Sequence, residues 1–351
     1  MDKEKLINKI KEIKKDLGKR IVIPAHHYQS PDIVQFGDFI GDSYKLAVEC
    51  SKTDADYIVF CGVLFMAEGA SILSRDNQKV LLPERSAGCP MADMAAIEFV
   101  EKAYEKIKKE VKRDIAPVVY MNSYADLKSF CGIHGGSVCT SSNADKIFEY
   151  YFKQDKAILF FPDYYLGRNT ANTMGIDEKY IVKIKKDSSF KSTGDITEAK
   201  VLLWDGYCPI HQRFTVGDIK YLREKYPGIK IIVHPESAVE VVNEADMSGS
   251  TEKIFRLIKE SPSGSKWGIG TESTFVNRLA DDYPDKLIVP LRESKCKNML
   301  KITLEALNNS LQSILDYQKG KGKLITEIRV AEEYKTGAKK ALQKMIEIVE
   351  G

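Results

Sequence analysis

Ile229-Lys230-Ile231-Ile232-Val233-His234-Pro235-Glu236 is the stretch on which the fold turns. Its residues are almost continuously apolar, as in a strand covered on both faces, and it ends abruptly in polar side chains. The same pattern opens two earlier segments: Ile21–Pro24 running into Ala25-His26-His27-Tyr28, and Pro117–Met121 with its polar end at Tyr120-Met121-Asn122. Further apolar runs lie at Tyr57–Cys61, Lys79–Leu82, Ala157–Phe161, Lys200–Leu203, Trp267–Gly270 and Lys286–Val289. Helical stretches separate them, and strand–helix–strand order over this length predicts an α/β fold with parallel sheets.

The runs repeat as a three-fold phrase. After each opening come a helical stretch and a small hydroxyl-bearing turn: Gly41-Asp42-Ser43, Cys139-Thr140-Ser141 and Gly249-Ser250-Thr251. A third strand ends in Cys61-Gly62, Phe161-Pro162-Asp163 or Gly270-Thr271-Glu272, and a last strand leads into a loop holding one cysteine, Cys89, Cys208 or Cys296. Opening and cysteine lie 63 residues apart from His26 to Cys89, 86 from Asn122 to Cys208, and 62 from His234 to Cys296. The middle copy is longer because it carries Gly132–Ser137 and the charged stretch Lys183–Lys200. Such repetition is a fold-level signal. It predicts three αβα domains, residues 1–113, 114–226 and 227–298, with C-terminal helices over 299–351 packing back on the body. The spacing of Leu6, Ile10, Ile13 and Leu17 before Gly18 predicts a first helix. Met299–Leu315 reads as an amphipathic helix, and Ile325–Val349 as a final helix lying over the first domain or at a subunit contact.

Composition narrows the function. In 351 residues, 53 Lys and Arg balance 50 Asp and Glu, for a net charge of +3, with 43% hydrophobic and 29% charged residues. These values exclude disorder, collagen and coiled-coil rods. They offer no broad field for nucleic acid or an anionic membrane. The longest apolar stretch, Ile58–Ala67, has ten residues, short of the roughly 18–20 that a membrane span needs. Met1–Lys5 leads into a charged amphipathic segment without an apolar export core, so a soluble cytoplasmic protein is expected.

Seven cysteines without a CxxC pair argue against a zinc ribbon, and a single thiol of this kind is ordinarily a small buried hydrophobe. Position changes that reading for three of them. Ligands of open parallel sheets bind beyond the carboxyl ends of the strands, and Cys89, Cys208 and Cys296 occupy equivalent loops there. Three domains facing a common axis pool these loops in one central cavity, which reads as a metal site, with Cys50 and Cys61 as buried bystanders. A closed zinc site takes four ligands, and so does a [4Fe–4S] cluster used as a wire. Three thiolates leave one iron open as a Lewis acid, which suits dehydration or condensation. The surrounding residues suit a small anion. His26 and His234 can bond carboxylates, and Ser43, Ser141, Ser250 and Thr251 sit in turns where helix N-termini receive anionic oxygens. Tyr28, Tyr120 and Glu236 can move protons, Glu236 being the best general acid/base. Ser43 equally suits a helix cap. Gly132–Ser137 matches no phosphate-loop pattern and reads as a loop, and Lys106–Arg113 reads as a solvated helix face.

Many of these stretches, with others, resemble the quinolinate synthase family, the iron–sulfur enzymes of de novo NAD biosynthesis. The resemblance runs through Ala25-His26-His27-Tyr28, Gly41-Asp42-Ser43, Phe65-Met66-Ala67-Glu68, Ala87-Gly88-Cys89-Pro90-Met91-Ala92-Asp93, Tyr120-Met121-Asn122-Ser123, Thr140-Ser141-Ser142-Asn143-Ala144, Phe161-Pro162-Asp163, Trp204–His211, His234-Pro235-Glu236, Ala245–Thr251, Gly270-Thr271-Glu272 and Cys296-Lys297-Asn298-Met299. It implies three pseudo-threefold-related αβα domains around a central [4Fe–4S] cluster held by Cys89, Cys208 and Cys296. It implies condensation of iminoaspartate with dihydroxyacetone phosphate to quinolinate, phosphate and water, and a transient contact with the enzyme that supplies iminoaspartate. By the same resemblance, His26 and Ser43 hold a substrate carboxylate, and His234 with Ser250 and Thr251 holds another part of the substrate. Tyr120 and Asn122 face the open iron, Ser141 contacts the substrate or its phosphate, and Tyr28 and Glu236 serve isomerisation and dehydration. Leu64, Ser237 and the Cys131–Val138 stretch depart from the family's commonest pattern. The residues taken without the resemblance leave open another open-cluster hydro-lyase, a cluster carrier, or zinc in place of iron.

Overall fold

Each apolar run becomes a parallel strand in the computed structural model, which describes residues 2–351. The fold is α/β, with mostly parallel sheets flanked by helices. By contacts the chain divides into two compact units, one formed by Met1–Cys89 with Lys295–Ala331, the other by Pro90–Ser294 with Glu332–Gly351.

In the first unit the strand Ile21–Val22, continued by Pro24–His26, lies between Phe39–Gly41 and Tyr57–Val59, with Lys79–Leu81 beyond. The helix Lys3–Leu17 buries Leu6, Ile10, Ile13 and Leu17 and packs on the helix Leu304–Gln318. In the second unit a six-stranded sheet runs in the order Phe190–Ser192, Ile181–Ile184, Val201–Trp204, Ala157–Phe161, Ile115–Tyr120, Ser137–Cys139. Only Phe190–Ser192 is antiparallel. A four-stranded sheet runs Met247–Ser248, Lys230–Val233, Lys266–Gly270, Leu287–Pro290, and Ile231 and Val233 share its core with Phe214, Ile219, Leu222 and Leu291.

All three sheets therefore share one order, second–first–third–last, the middle sheet adding Ile181–Ile184 and Phe190–Ser192 beyond its last strand, and the repeat extends to single residues. Ala25, Val119 and Val233 pair with Cys61, Phe161 and Gly270 on one side. On the other they pair with Ile40, Val138 and Ser248. The backbone N–H groups of His26 and His234 make the same 2.9 Å bond, to Cys61 O and Gly270 O. This register corrects the middle copy of the phrase. Tyr120, not Asn122, is the counterpart of His26 and His234, and Asn122 stands with Tyr28 and Glu236. The middle copy has no histidine at that strand end to mark the step.

The hydroxyl turns open helices. Asp42 Oδ1 accepts the Lys45 N–H at 3.0 Å and Ser250 Oγ that of Lys253 at 3.3 Å, so Asp42 and Ser250 are caps and Ser43 and Thr251 the first helical residues. In the middle copy Asn143 Oδ1 accepts the Thr140 N–H at 2.7 Å and the helix starts later, at Ala144.

The C-terminus departs from expectation in two ways. Glu327 bridges Leu81 antiparallel, so this part of the expected helix is instead extended chain at the edge of the first sheet. The final helix, Glu332–Glu350, packs against the helix Ala125–Ile133, not over the first domain. Two glycines allow that approach: a Cβ on Gly132 would sit 1.9 Å from Gly337 O. Gly132–Ser137 is thus a helix end, a turn with Gly135 at φ +70°, and the start of a strand, not one loop. No helix among the described residues is long and apolar enough to cross a membrane.

Gly132→Ala is expected to lower the free energy of unfolding by about 1–3 kcal/mol through overpacking. Ile133→Ala, beside it but 67% exposed, is expected to stay within about 0.5 kcal/mol. Denaturant unfolding of the two variants checks the difference.

Candidate functional site

The carboxyl ends of the two sheets in the second unit carry a buried cluster around one carboxylate. Tyr120 leaves the end of its strand and its hydroxyl donates to Glu236 Oε1. His211, from the short helical turn His211–Arg213, places Nδ1 2.6 Å from Glu236 Oε2, and its Nε2 lies 3.0 Å from Thr271 Oγ1. The His234 ring stacks on that of His211 with centroids 4.3 Å apart and planes 19° from parallel. His234 Nδ1 accepts the Glu236 backbone N–H at 3.3 Å, so a neutral ring carries its proton on Nε2. None of Tyr120, His211, His234 or Glu236 is more than 4% exposed.

The loop bearing His234 and Glu236 is clamped from both sides. Asn169 Nδ2 donates to Pro235 O at 2.8 Å and Ser237 O at 2.9 Å, while Gln212 Nε2 donates to Glu236 O at 2.6 Å. Such bonds order the backbone without contributing charge, which leaves the side chains to set the electrostatics.

Burial raises the Glu236 carboxyl, but the His234 and His211 rings and the Tyr120 hydroxyl outweigh it and bring it down to about 2. Glu236 therefore stays ionised. Burial, and then the Glu236 charge, push the Tyr120 hydroxyl well above its ordinary value. Burial, and then His211, push the His234 ring down to about 3. Asp163 belongs to the same neighbourhood. Burial followed by the Glu236 charge raises its carboxyl well above the usual range, although it accepts N–H bonds from Leu166, Tyr165 and Cys208. Ser141 bonds the Tyr120 hydroxyl, and Asn122 Oδ1 is buried without a hydrogen-bond partner. Cys208, His211 and Glu236 bring ligand atoms within 4.8 Å of one another.

Of the residues predicted from sequence, the structure joins Tyr120, Ser141, His234 and Glu236 in one contact network and sets Cys208 beside it. Ser250 and Thr251 are buried at the head of their helix, next to Gly249, whose N–H bonds Val233 O at 3.1 Å. In the first unit His26 Nδ1 accepts the Tyr28 N–H at 3.1 Å, repeating the His234–Glu236 bond, and the His26 and Tyr28 rings meet edge-on at 4.6 Å. Cys89 and Cys296 belong to that unit and are half-buried.

Sequence reasoning passed over His211 and Asp163. His211 stood in a quoted stretch, and its signal was the spacing Cys208-x-x-His211. Asp163 is masked by a second duty: its Oδ1 caps the helix Tyr164–Thr173 by accepting the Leu166 N–H at 2.7 Å, as Glu272 does for Phe275 at 3.1 Å.

The chain matches the family model described as quinolinate synthetase A protein over residues 8–347. It is 44% identical to the quinolinate synthase of Anoxybacillus flavithermus, covering 98% of this chain and 93% of that protein. It is 45% identical to that of Bacillus cereus, covering 99% and 95%.

Burial separates the seven thiols. Cys50 and Cys61 are pushed up to about 12, and Cys131 and Cys139 well above 9, in each case chiefly by burial. Cys89, Cys208 and Cys296 are half-buried. Iodoacetamide on the folded, metal-free chain is expected to alkylate these last three and spare the other four, read by peptide mass spectrometry. His234 is expected to stay neutral, so its ring resonances hold constant between about pH 5 and 8. An unfolded histidine takes a proton near pH 6.5 whereas His234 resists until about 3. Its contribution to stability therefore declines as pH falls between those values.

Proposed function

The chain belongs to the quinolinate synthetase A family of NAD biosynthesis, and we propose that it condenses iminoaspartate with dihydroxyacetone phosphate to quinolinate, releasing phosphate and water. The observation that carries the proposal is the buried Glu236 carboxylate, gripped by the Tyr120 hydroxyl and the His211 ring in a chain of this family. Condensation and dehydration both require protons to leave carbon or nitrogen and arrive at departing oxygens. A carboxylate shielded from water, bonded to a phenol and in close contact with an imidazole can do both.

Cys89, Cys208 and Cys296 hold a [4Fe–4S] cluster in this reading. The donor chemistry fits: these three thiols are half-buried, while the other four are buried in packed protein. The open iron of a three-thiolate cluster supplies Lewis acidity toward a substrate oxygen.

The protein groups do the rest. His26 and Ser43 take one substrate carboxylate. Ser250 and Thr251 at the helix head, with neutral His234, take a second anionic group through hydroxyl and backbone donors. The Asn122 amide, whose Oδ1 is buried without a partner, offers an acceptor to a substrate N–H or O–H. Ser141 orients the Tyr120 hydroxyl, and through it the proton shared with Glu236. Tyr28, at the position equivalent to Glu236, serves the isomerisation step. The loop clamps at Asn169 and Gln212 hold Glu236 in place while its charge changes.

Anaerobically purified protein given both substrates is expected to yield quinolinate, measured by chromatography. An intact cluster without product rejects the proposal. Glu236→Gln is expected to lower turnover by about 10²–10⁴-fold, with iron and sulfide per chain unchanged. Equal loss of iron and turnover would instead make Glu236 structural.

A further inference from the structure

The cluster around Glu236 contains a contact that proton sharing does not explain well. His211 Nδ1 lies 2.6 Å from Glu236 Oε2, yet it has no hydrogen-bond partner of acceptable geometry although it is buried. A nitrogen and a carboxylate oxygen held close but off the N–H axis resemble two donors converging on a third atom. Cys208 supplies the remaining direction, its Sγ within 4.8 Å of a ligand atom on each of the other two.

We propose that in the cluster-free chain Cys208, His211 and Glu236 bind a single divalent cation of the zinc class, and that this ion withholds Cys208 from the cluster. The second half rests on the function proposed above; the first does not.

Zinc bonds of about 2.3 Å to sulfur and 2.0–2.2 Å to nitrogen and oxygen put neighbouring ligand atoms roughly 3–4 Å apart. To reach that geometry the Cys208 Sγ, now within 4.8 Å of the other two, closes in by up to about 1 Å, while His211 Nδ1 and Glu236 Oε2, 2.6 Å apart, part by somewhat less than about 1 Å to admit the ion between them. One thiolate, one imidazole and one carboxylate leave a fourth position for water, and the thiolate favours zinc or cobalt over magnesium or calcium. Charge also favours occupancy. The ion's two positive charges meet the Cys208 and Glu236 anions, so the filled site is neutral as burial demands. Thr271 Oγ1, 3.0 Å from His211 Nε2, is placed to accept a hydrogen bond from an Nε2–H, the tautomer that leaves Nδ1 bare for the metal. Outer partners of this kind orient metal-bound histidines.

The test titrates the full-length chain, freed of iron by a chelator and kept reduced without oxygen, with cobalt(II) alone. One equivalent is expected to bind, with the visible bands of four-coordinate cobalt and a thiolate charge-transfer band. Cys208→Ser removes the charge-transfer band. His211→Asn and Glu236→Gln each weaken binding at least tenfold, and Thr271→Val, which touches no metal, weakens it about tenfold. Cys89→Ser and Cys296→Ser leave the titration unchanged. Circular dichroism confirms that each variant is folded. If Cys208→Ser fails to fold, His211→Asn and Glu236→Gln decide the matter.

Absence of saturable binding overturns the site. So does cobalt that is lost in Cys89→Ser or Cys296→Ser but indifferent to His211→Asn, since the three cysteines then hold the ion. For the second half, zinc loaded before iron and sulfide is expected to cut iron incorporation at least twofold in the wild type and not in His211→Asn. Undiminished iron incorporation overturns that half. A chain that builds no cluster even without zinc defeats the cluster reading and leaves the cobalt result standing.

Discussion

A parallel ladder ends by leaving the last residues of every strand beyond the reach of their neighbours, and the buried groups Tyr120, His234 and Glu236 collect at those ends. The ladder itself is rigid. His26 N–H to Cys61 O and His234 N–H to Gly270 O are the same bond at the same length, 2.9 Å. Once that bond is made, the next residues must turn out of the sheet. In the copies beginning at His26 and His234 the histidine Nδ1 accepts the N–H two residues on, shaping the turn from within. Tyr28 and Glu236 are thereby delivered to equivalent places. Tyr120 and Asn122 reach theirs without a histidine, at the end of the longer strand Ile115–Tyr120, which stays paired to Cys139 on one side through Tyr120.

How much of this was legible follows from length and pattern. The nine long apolar runs all became strands, since four or five consecutive apolar residues have few other places to go in a chain of this charge. The edge strands Phe39–Gly41, Ser137–Cys139 and Met247–Ser248 were not legible as strands. They are two or three residues long and run straight into the hydroxyl turns, so their sequence reads as turn. Ile181–Ile184 and Phe190–Ser192 were hidden within or beside a lysine-rich stretch, because an edge hairpin tolerates charge on its open side. The last helix was legible and its seat was not. Only the structure pairs Gly132 with Gly337. The substrates entered through family resemblance alone, since spacing and residue type do not distinguish one small polyanion from another.

Within the site, electrostatics divides labour among groups that a sequence presents as alike. Glu236 and Asp163 are both fully buried carboxyls near Tyr120, yet one is driven down and the other up. Glu236 faces two imidazole rings and accepts the Tyr120 hydroxyl bond, surroundings that favour the ion. Asp163 receives backbone N–H bonds but pays for burial beside an existing negative charge, and two such charges in one dry pocket are not both sustained. His234 is held neutral by the same burial that shelters Glu236. The pocket thus sets the Glu236 anion beside the neutral His234 ring and the Tyr120 hydroxyl.

That economy also explains why the Cys208, His211 and Glu236 trio is open to a cation as well as to a proton. His211 Nδ1 and Glu236 Oε2 offer lone pairs to whatever positive species lies between them, and a proton at 2.6 Å satisfies that pair only if it lies on the line joining them. The third donor decides which species wins. While the Cys208 thiolate is committed elsewhere, two donors are too few to hold a divalent ion against water, and the pair keeps its proton for chemistry. With the thiolate released, three donors and two negative charges converge and the balance tips to metal. On this argument occupancy of Cys208 controls the acid/base character of Glu236, although no bond joins the two residues.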